Sequence, residues 1–183
     1  MKSFLRNIAF ATATAAMAVT AAPARANEVL DAHARLWDAV ERAGVPIFIN
    51  DSEECKDNWG GGAYYTNSQK RISAMLICQD NGKGAGTDNA VAWTPNDLDS
   101  LRHESHHVVQ DCLAGGLSDG KMRTMFQGEQ LKAIVSGSLS QEMIQTILKL
   151  YDEEDHLIEL EAFSVAADVG PDAIANALDK YCL

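Results

Sequence analysis

Basic residues are scarce in this sequence: 15 Lys and Arg stand against 26 Asp and Glu, a net charge of −11 at pH 7. Phosphate backbones and anionic lipid surfaces are held by clustered positive charge. A nucleic-acid partner is therefore not expected. Beyond the first 26 residues no stretch approaches the ~20 apolar residues that a membrane-crossing helix requires. There is no internal repeat and no low-complexity tract. The glycine-rich stretch 81–86 (Asn-Gly-Lys-Gly-Ala-Gly) fits neither G-x-G-x-x-G nor the P-loop, so it reads as a flexible connection and not a phosphate cradle. Cysteine is limited to four residues, none in a C-x-x-C pair, which argues against a structural zinc knuckle.

The N-terminus has the marks of a secretory signal peptide. Lys2 and Arg6 supply a positive start, an Ala-rich apolar stretch runs over 8–22, and Ala24-Arg25-Ala26 is a small-residue cleavage site. Its removal would take three bases and no acid, leaving 12 bases against 26 acids, or −14. The expectation is an exported chain, periplasmic or secreted, free of the membrane after cleavage and acting as a monomer. Residues 27–183 are the right length for a single domain around one core. In an oxidising compartment the four cysteines form two disulfides. The favoured pairing is Cys55 with Cys78, around a local hairpin, and Cys112 with Cys182.

Coarse patterning places a helix over 29–42, with Val29, Leu30, Leu36, Trp37 and Val40 on one face and Gly44 as its stop. Short strands are expected at 45–49, 63–66 and 71–78, the last two joined by a polar turn at 67–70. Thr94, Pro95 and Asp97 are a helix start, and Gly115-Gly116 a stop, so a second helix should span 95–114. Leu98, Leu101, Val108, Val109, Cys112 and Leu113 give it an apolar side. Helices follow over 140–151, with a Met143, Ile144, Ile147, Leu148, Leu150 stripe read as core, then over the acidic segment from Tyr151, and from Pro171 to about 182.

The helix over 95–114 carries His103-Glu104-Ser105-His106-His107, an H-E-x-x-H. Residues four apart on a helix share a face, so His103 and His107 can reach one Zn²⁺ at the ~2.0–2.1 Å of Zn–N bonding. Glu104 then leans toward the open position of the metal, as a general base. His106 points about 100° away from His107 and reads as a surface or supporting residue. Gln110, one turn on, reads as a solvated glutamine, with a hydrogen bond in support of the site as the alternative. A catalytic zinc usually takes a third protein ligand, and no H-x-x-G-x-x-H continuation supplies one. The downstream run Asp152-Glu153-Glu154-Asp155 reads as a solvated charge cluster. Beyond it lie Glu159 and Glu161, which point about 200° apart on a helix, so only one of them can face the metal.

H-E-x-x-H followed at a distance by Glu159-Leu160-Glu161-Ala162 resembles the gluzincin pattern of zinc metallopeptidases. The resemblance covers these two motifs and their order, not the whole chain. It implies Glu159 as third ligand, with Glu161 the runner-up, and Ala162 as the small residue that lets the two helices approach. Many relatives continue E-x-x-A-D, whose Asp braces a zinc histidine. Here Phe163 stands at that place. The resemblance also implies an α+β, helix-dominated, zincin-like fold with a small, mainly antiparallel sheet beside the motif helix. An edge strand of that sheet would bind an extended peptide, with 71–78 the candidate.

The activity implied is hydrolysis of peptide or protein substrates. Zn²⁺ would be held by His103, His107 and Glu159, and Glu104 would serve as the base. Tyr64, Tyr65, Tyr151 and His156 are candidate oxyanion donors. Two alternatives stand beside it: a zincin-like module that binds or inhibits without catalysis, and a disulfide-stapled binding protein whose H-E-x-x-H is accidental.

Overall fold

Thr94 opens the central helix of the molecule. Its hydroxyl accepts the backbone N–H of Asp97, and the Asp97 carboxylate accepts the N–H of Thr94 in return. This capping box satisfies backbone donors that a helix start otherwise leaves unpaired. Pro95 occupies the first turn, where no intrahelical N–H is required. Helix α2 (Pro95–Ala114) ends at Gly115, whose φ of 138° is open to glycine and strained for other residues. The expected bounds, 95–114, are those observed.

The protein is described by a computed structural model over residues 23–67, 72–117 and 120–183. The expected leader, 1–26, lies outside the described residues as far as residue 22, and the turn expected at 67–70 lies largely outside them. Among the described residues the architecture is α+β. Helix α1 (Pro23–Arg42) is followed by strands β1 (Ile47–Ile49), β2 (Gly61–Asn67) and β3 (Ile72–Cys78), and then by α2. After α2 come α3 (Glu129–Ser138), α4 (Gln141–Leu150), a 3-10 turn (Glu153–Asp155), α5 (His156–Asp168) and α6 (Pro171–Tyr181). No described helix is long and apolar enough to cross a membrane.

The sheet is mixed, in the order β1-β3-β2: β1 runs parallel to β3 and β2 antiparallel to it. Period-two alternation sorts β3 onto two faces. Met75 and Ile77 enter the main core with Leu36, Val40, Leu101, Val108, Val109, Val165, Ile174 and Leu178. Leu76 and Cys78 join Cys55 in a small second cluster, against which Trp59 and Tyr65 pack. On β2 the same alternation sends Tyr64 to the main core and Tyr65 to the second cluster.

The sheet is small and mainly antiparallel, as expected, with seven residue pairs between β2 and β3 against three parallel ones between β1 and β3. One expectation about it is corrected. Strand β3, the expected peptide-binding edge, is the central strand, with β1 and β2 bonded to its two sides. Its backbone groups are engaged and cannot add a further strand. The edge nearest α2 is β2.

Both expected disulfides form, Cys55–Cys78 and Cys112–Cys182, with Cα separations of 5.5 and 5.3 Å. Such bonds persist in oxidising compartments. On α1 the buried face is Leu36, Ala39 and Val40, while Leu30 is 46% exposed, contrary to its assignment to the apolar face. His33, given no role from sequence, is buried, with Nε2 2.8 Å from the Arg102 guanidinium. Stretch 81–86 is tied at both ends: the Gly82 N–H donates to the Gln79 carbonyl and the Asn89 side chain to the Ala85 carbonyl. Its flanks are joined by Asn50, whose amide donates to Gln79 Oε1 and to the Asn89 carbonyl, and by two bonds between Gln79 and the backbone of Val91.

Candidate metal centre

Helix α2 is buried along almost its whole motif, from His103 to Asp111, so its polar residues must find partners inside the protein. His103 and His107 sit one turn apart with their rings edge to face, centroids 4.7 Å apart. Their Nε2 atoms are 3.0 Å from each other. From α5, which packs along α2, Glu159 brings its carboxylate to both: Oε2 is 3.4 Å from His103 Nε2, and Oε1 is 3.6 Å from His107 Nε2. Tetrahedral zinc with bonds of ~2.0–2.1 Å would separate its donor atoms by about 3.3 Å. The three measured separations bracket that value. Glu159 Oε2 is buried and accepts no hydrogen bond. These three residues form a group able to hold a metal ion.

Glu161 faces the other way. Its Oε1 is 2.8 Å from His106 Nε2 and accepts the Gln110 side-chain N–H (3.0 Å) and the Met125 N–H (2.8 Å), while Oε2 accepts the Phe126 N–H (2.8 Å). Burial pushes its pKa up, but these donors outweigh burial and hold the carboxyl below its usual range. As the alternative metal ligand, Glu161 is excluded by this placement. His106 is buried, not superficial, and burial lowers its pKa, so the ring is neutral beside the Glu161 carboxylate. Gln110 has no exposed surface, which overturns its reading as solvated. Its Oε1 lies 2.7 Å from His107 Nδ1.

Glu104 is buried against the backbone of β2, and its carboxyl is pushed up to about 8. Burial is the main cause and the negative Glu159 adds to it. His107 and the Tyr64 backbone N–H pull the other way. Gly62 makes the approach possible: a β-carbon there would lie 2.7 Å from Glu104 Cγ.

Phe163, at the place where the gluzincin pattern has an acid, packs on His103 with ring centroids 4.3 Å apart and the planes tilted by 55°, and lies 6.2 Å from the Tyr151 ring. His103 Nδ1 consequently has no hydrogen-bond partner. Ala162 has no exposed surface.

The four candidate oxyanion donors separate by position. The Tyr64 hydroxyl donates to Asp111 Oδ2 at 2.6 Å and is committed there. Tyr65 packs on the far face of the sheet. His156 Nε2 lies 3.0 Å from the Tyr151 carbonyl. Tyr151 alone directs its hydroxyl at the metal group, donating to Glu159. Burial raises its pKa first, and the charges of Glu159 and Glu104 raise it further.

These groups open into a cleft of about 530 Å³. One wall is β2, from Gly61 to Tyr64. The opposite wall is apolar, with Met122, Leu139, Met143, Leu150 and Ile158. Met143 and Leu150, expected in the core, are therefore cleft residues, and Ile147 is the member of that stripe that is buried. The run 152–155 is exposed, as expected, with Asp152 and Asp155 at the rim.

Met122, Met125 and Phe126, which sequence reasoning did not single out, come to the site through a loop without regular structure. No local signal marks them, because what holds the loop is Glu161, distant in the chain. The model of one family, described as a domain of unknown function (DUF8637), matches residues 26–183. No curated protein and no solved structure matches the chain.

Proposed function

This chain belongs to the DUF8637 family, and we propose that it is an exported, zinc-dependent metallopeptidase of zincin type. The observation that carries the reading is the convergence of His103, His107 and Glu159 at near-tetrahedral spacing beside a buried Glu104, at the floor of a cleft. His103, His107 and Glu159 would hold the ion. A bound zinc supplies Lewis-acid polarisation of a scissile carbonyl and lowers the pKa of water.

The remaining work falls to side chains. Glu104 Oε takes the proton of the attacking water and passes it to the leaving amine nitrogen. Burial raises its pKa, and the charge of a bound zinc would lower it again, toward the range in which one carboxyl serves both transfers. Tyr151 Oη, which donates to Glu159 in the metal-free site, would turn its one O–H to the developing oxyanion once Glu159 is taken up by the metal. Strand β2 offers its free edge to an extended peptide, whose side chains meet the apolar wall of Met143, Leu150 and Ile158. Export agrees with the leader-like N-terminus and the two disulfides.

Metal analysis of residues 27–183, purified oxidised, is the test. Near one zinc per chain, lost in His107→Ala, is expected, followed by peptide cleavage that Glu104→Gln abolishes. Cleavage that survives Glu104→Gln undiminished would remove the mechanism. Absence of zinc after incubation with the metal would remove the whole reading. One observation favours the non-catalytic alternative: Phe163 leaves His103 Nδ1 without a brace. Stoichiometric zinc with no cleavage of any peptide would decide for it.

A further inference from the structure

Gln110 touches both metal-bearing helices at once. Its Nε2 lies 3.0 Å from the carbonyl of Ile158, the residue before Glu159, and 3.0 Å from Glu161 Oε1. Its Oε1 lies 2.7 Å from His107 Nδ1. The two ends of an amide are assigned by their partners, and here the partners leave one choice. A backbone carbonyl and an ionised carboxylate only accept hydrogen bonds, so the end between them is the NH₂ group. The end that faces His107 is then the oxygen, an acceptor, so His107 Nδ1 must carry the proton. In a neutral imidazole with Nδ1 protonated, Nε2 holds the lone pair. That is the atom 3.0 Å from His103 Nε2 and 3.6 Å from Glu159 Oε1.

We propose that Gln110 is the positioning residue of this site, setting the His107 tautomer so that Nε2 offers its lone pair to the metal, and joining the turn that carries Glu159 to α2. The inference rests on His103, His107 and Glu159 being metal ligands. Gln110 fills the role left open by Phe163, but for the other histidine. Glu161 stands behind it and completes a relay, His107–Gln110–Glu161, that ends on the backbone of Met125 and Phe126. The same loop is tied to Gln110 itself, because the Arg123 N–H donates to the Gln110 carbonyl. Met122 of that loop lines the cleft.

The test uses two variants of the 27–183 chain with both disulfides intact. Gln110→Met keeps the volume and removes every side-chain hydrogen bond. Gln110→Glu keeps an acceptor for His107 Nδ1–H but loses the donors to Ile158 and Glu161. The first readout is the ¹⁵N shift pair of the His107 ring in the metal-free protein near pH 8, which reports the tautomer without any activity. The expected result is the Nδ1–H form in the wild type and in Gln110→Glu, and a shift toward Nε2–H in Gln110→Met. The second readout is zinc affinity by competition with a chelator. Loss of a residue that orients a metal ligand weakens binding about 10–100-fold. That loss is expected in Gln110→Met, with a smaller one in Gln110→Glu. An unchanged His107 tautomer in Gln110→Met would overturn the inference, as would equal loss of affinity in both variants, the mark of mere helix packing. Failure of the wild type to bind zinc while the tautomer responds as stated would overturn the metal reading instead, leaving the positioning of His107 standing.

Discussion

The side chain of Glu104 rests on the backbone of Gly62, so closely that a β-carbon on Gly62 would lie 2.7 Å from Cγ and 3.0 Å from Oε1. The proposed base is thus aimed by a strand residue with no side chain. Gly62→Ala must displace Glu104, while the metal group gains no new neighbour. A misplacement of about 1 Å can cost on the order of 10²-fold in rate. Peptide cleavage by Gly62→Ala should fall by about that factor with zinc content unchanged. Equal loss of zinc and activity would mean that Gly62 supports the whole site and not Glu104 alone.

Burial of Glu104 has a stability cost that depends on pH. Its folded pKa of about 8 lies above the ~4.3 of an unfolded glutamate. The unfolded chain therefore releases its proton first. The metal-free protein loses stability as pH rises from about 4 to about 8, and the loss is complete above 8. Glu104→Gln removes the ionisable group. It should raise the melting temperature of the metal-free protein at pH 8.5 and leave it nearly unchanged at pH 4.5. Thermal unfolding with a chelator present, at both pH values, checks this.

Glu161 has the opposite sign. Its folded pKa is lowered, so its contribution is fully present above the unfolded value near 4.3 and is lost as pH falls through the folded value. Glu161→Ala would strand buried donors from His106, Gln110, Met125 and Phe126. Leaving a buried donor without its partner costs about 1–3 kcal/mol, and several are left here. Urea unfolding at pH 7 should show a loss of at least that size. Below the unfolded value near 4.3 the unfolded chain takes up a proton that the folded carboxylate resists, so the difference between the proteins should shrink as the pH falls.

The disulfides differ in the loops they close, with sequence separations of 23 for Cys55–Cys78 and 70 for Cys112–Cys182. Loop-closure entropy makes the first worth about 3 kcal/mol and the second about 4. Replacing each pair by serine and comparing urea midpoints should place the Cys112–Cys182 variant lower. The reverse order would mean that the small second core depends on Cys55–Cys78 for more than chain entropy.

Helix α2 was legible to the residue because its ends are local chemistry: Thr94 and Pro95 at one end, Gly115 at the other. The two histidines and the glutamate of its motif were legible for the same reason, since helical spacing converts sequence distance into shared faces. The preference for Glu159 over Glu161 came from the E-x-x-A resemblance and not from helix geometry. Helical geometry says only that they point apart, and which one meets α2 depends on how α5 is rolled against it. That roll involves Gln110 and the backbone of 125–126. Sheet order was hidden for a related reason. Alternation in 72–78 marks a strand, but the central place of β3 follows from β1 returning to pair with it, a contact between segments that carry no local record of each other. Helical spacing says only that His106 points away from His107 and that Gln110 follows one turn on. Both are buried because α5 and the 120–128 loop cover them.

The strand order β1-β3-β2 bears on how this chain behaves in a crowd of its own copies. An open sheet edge invites pairing with another molecule. Of the two outer strands, β1 is three residues long, too short to template much of a ladder. The other, β2, has its first four residues recessed along the cleft, between the motif helix and the wall that includes Met143 and Leu150. A strand recessed in this way is covered on its flank, one of the means by which sheet edges are kept from pairing. The feature that would select unfolded peptide as a substrate would by the same sterics keep folded copies of the protein from aggregating strand to strand.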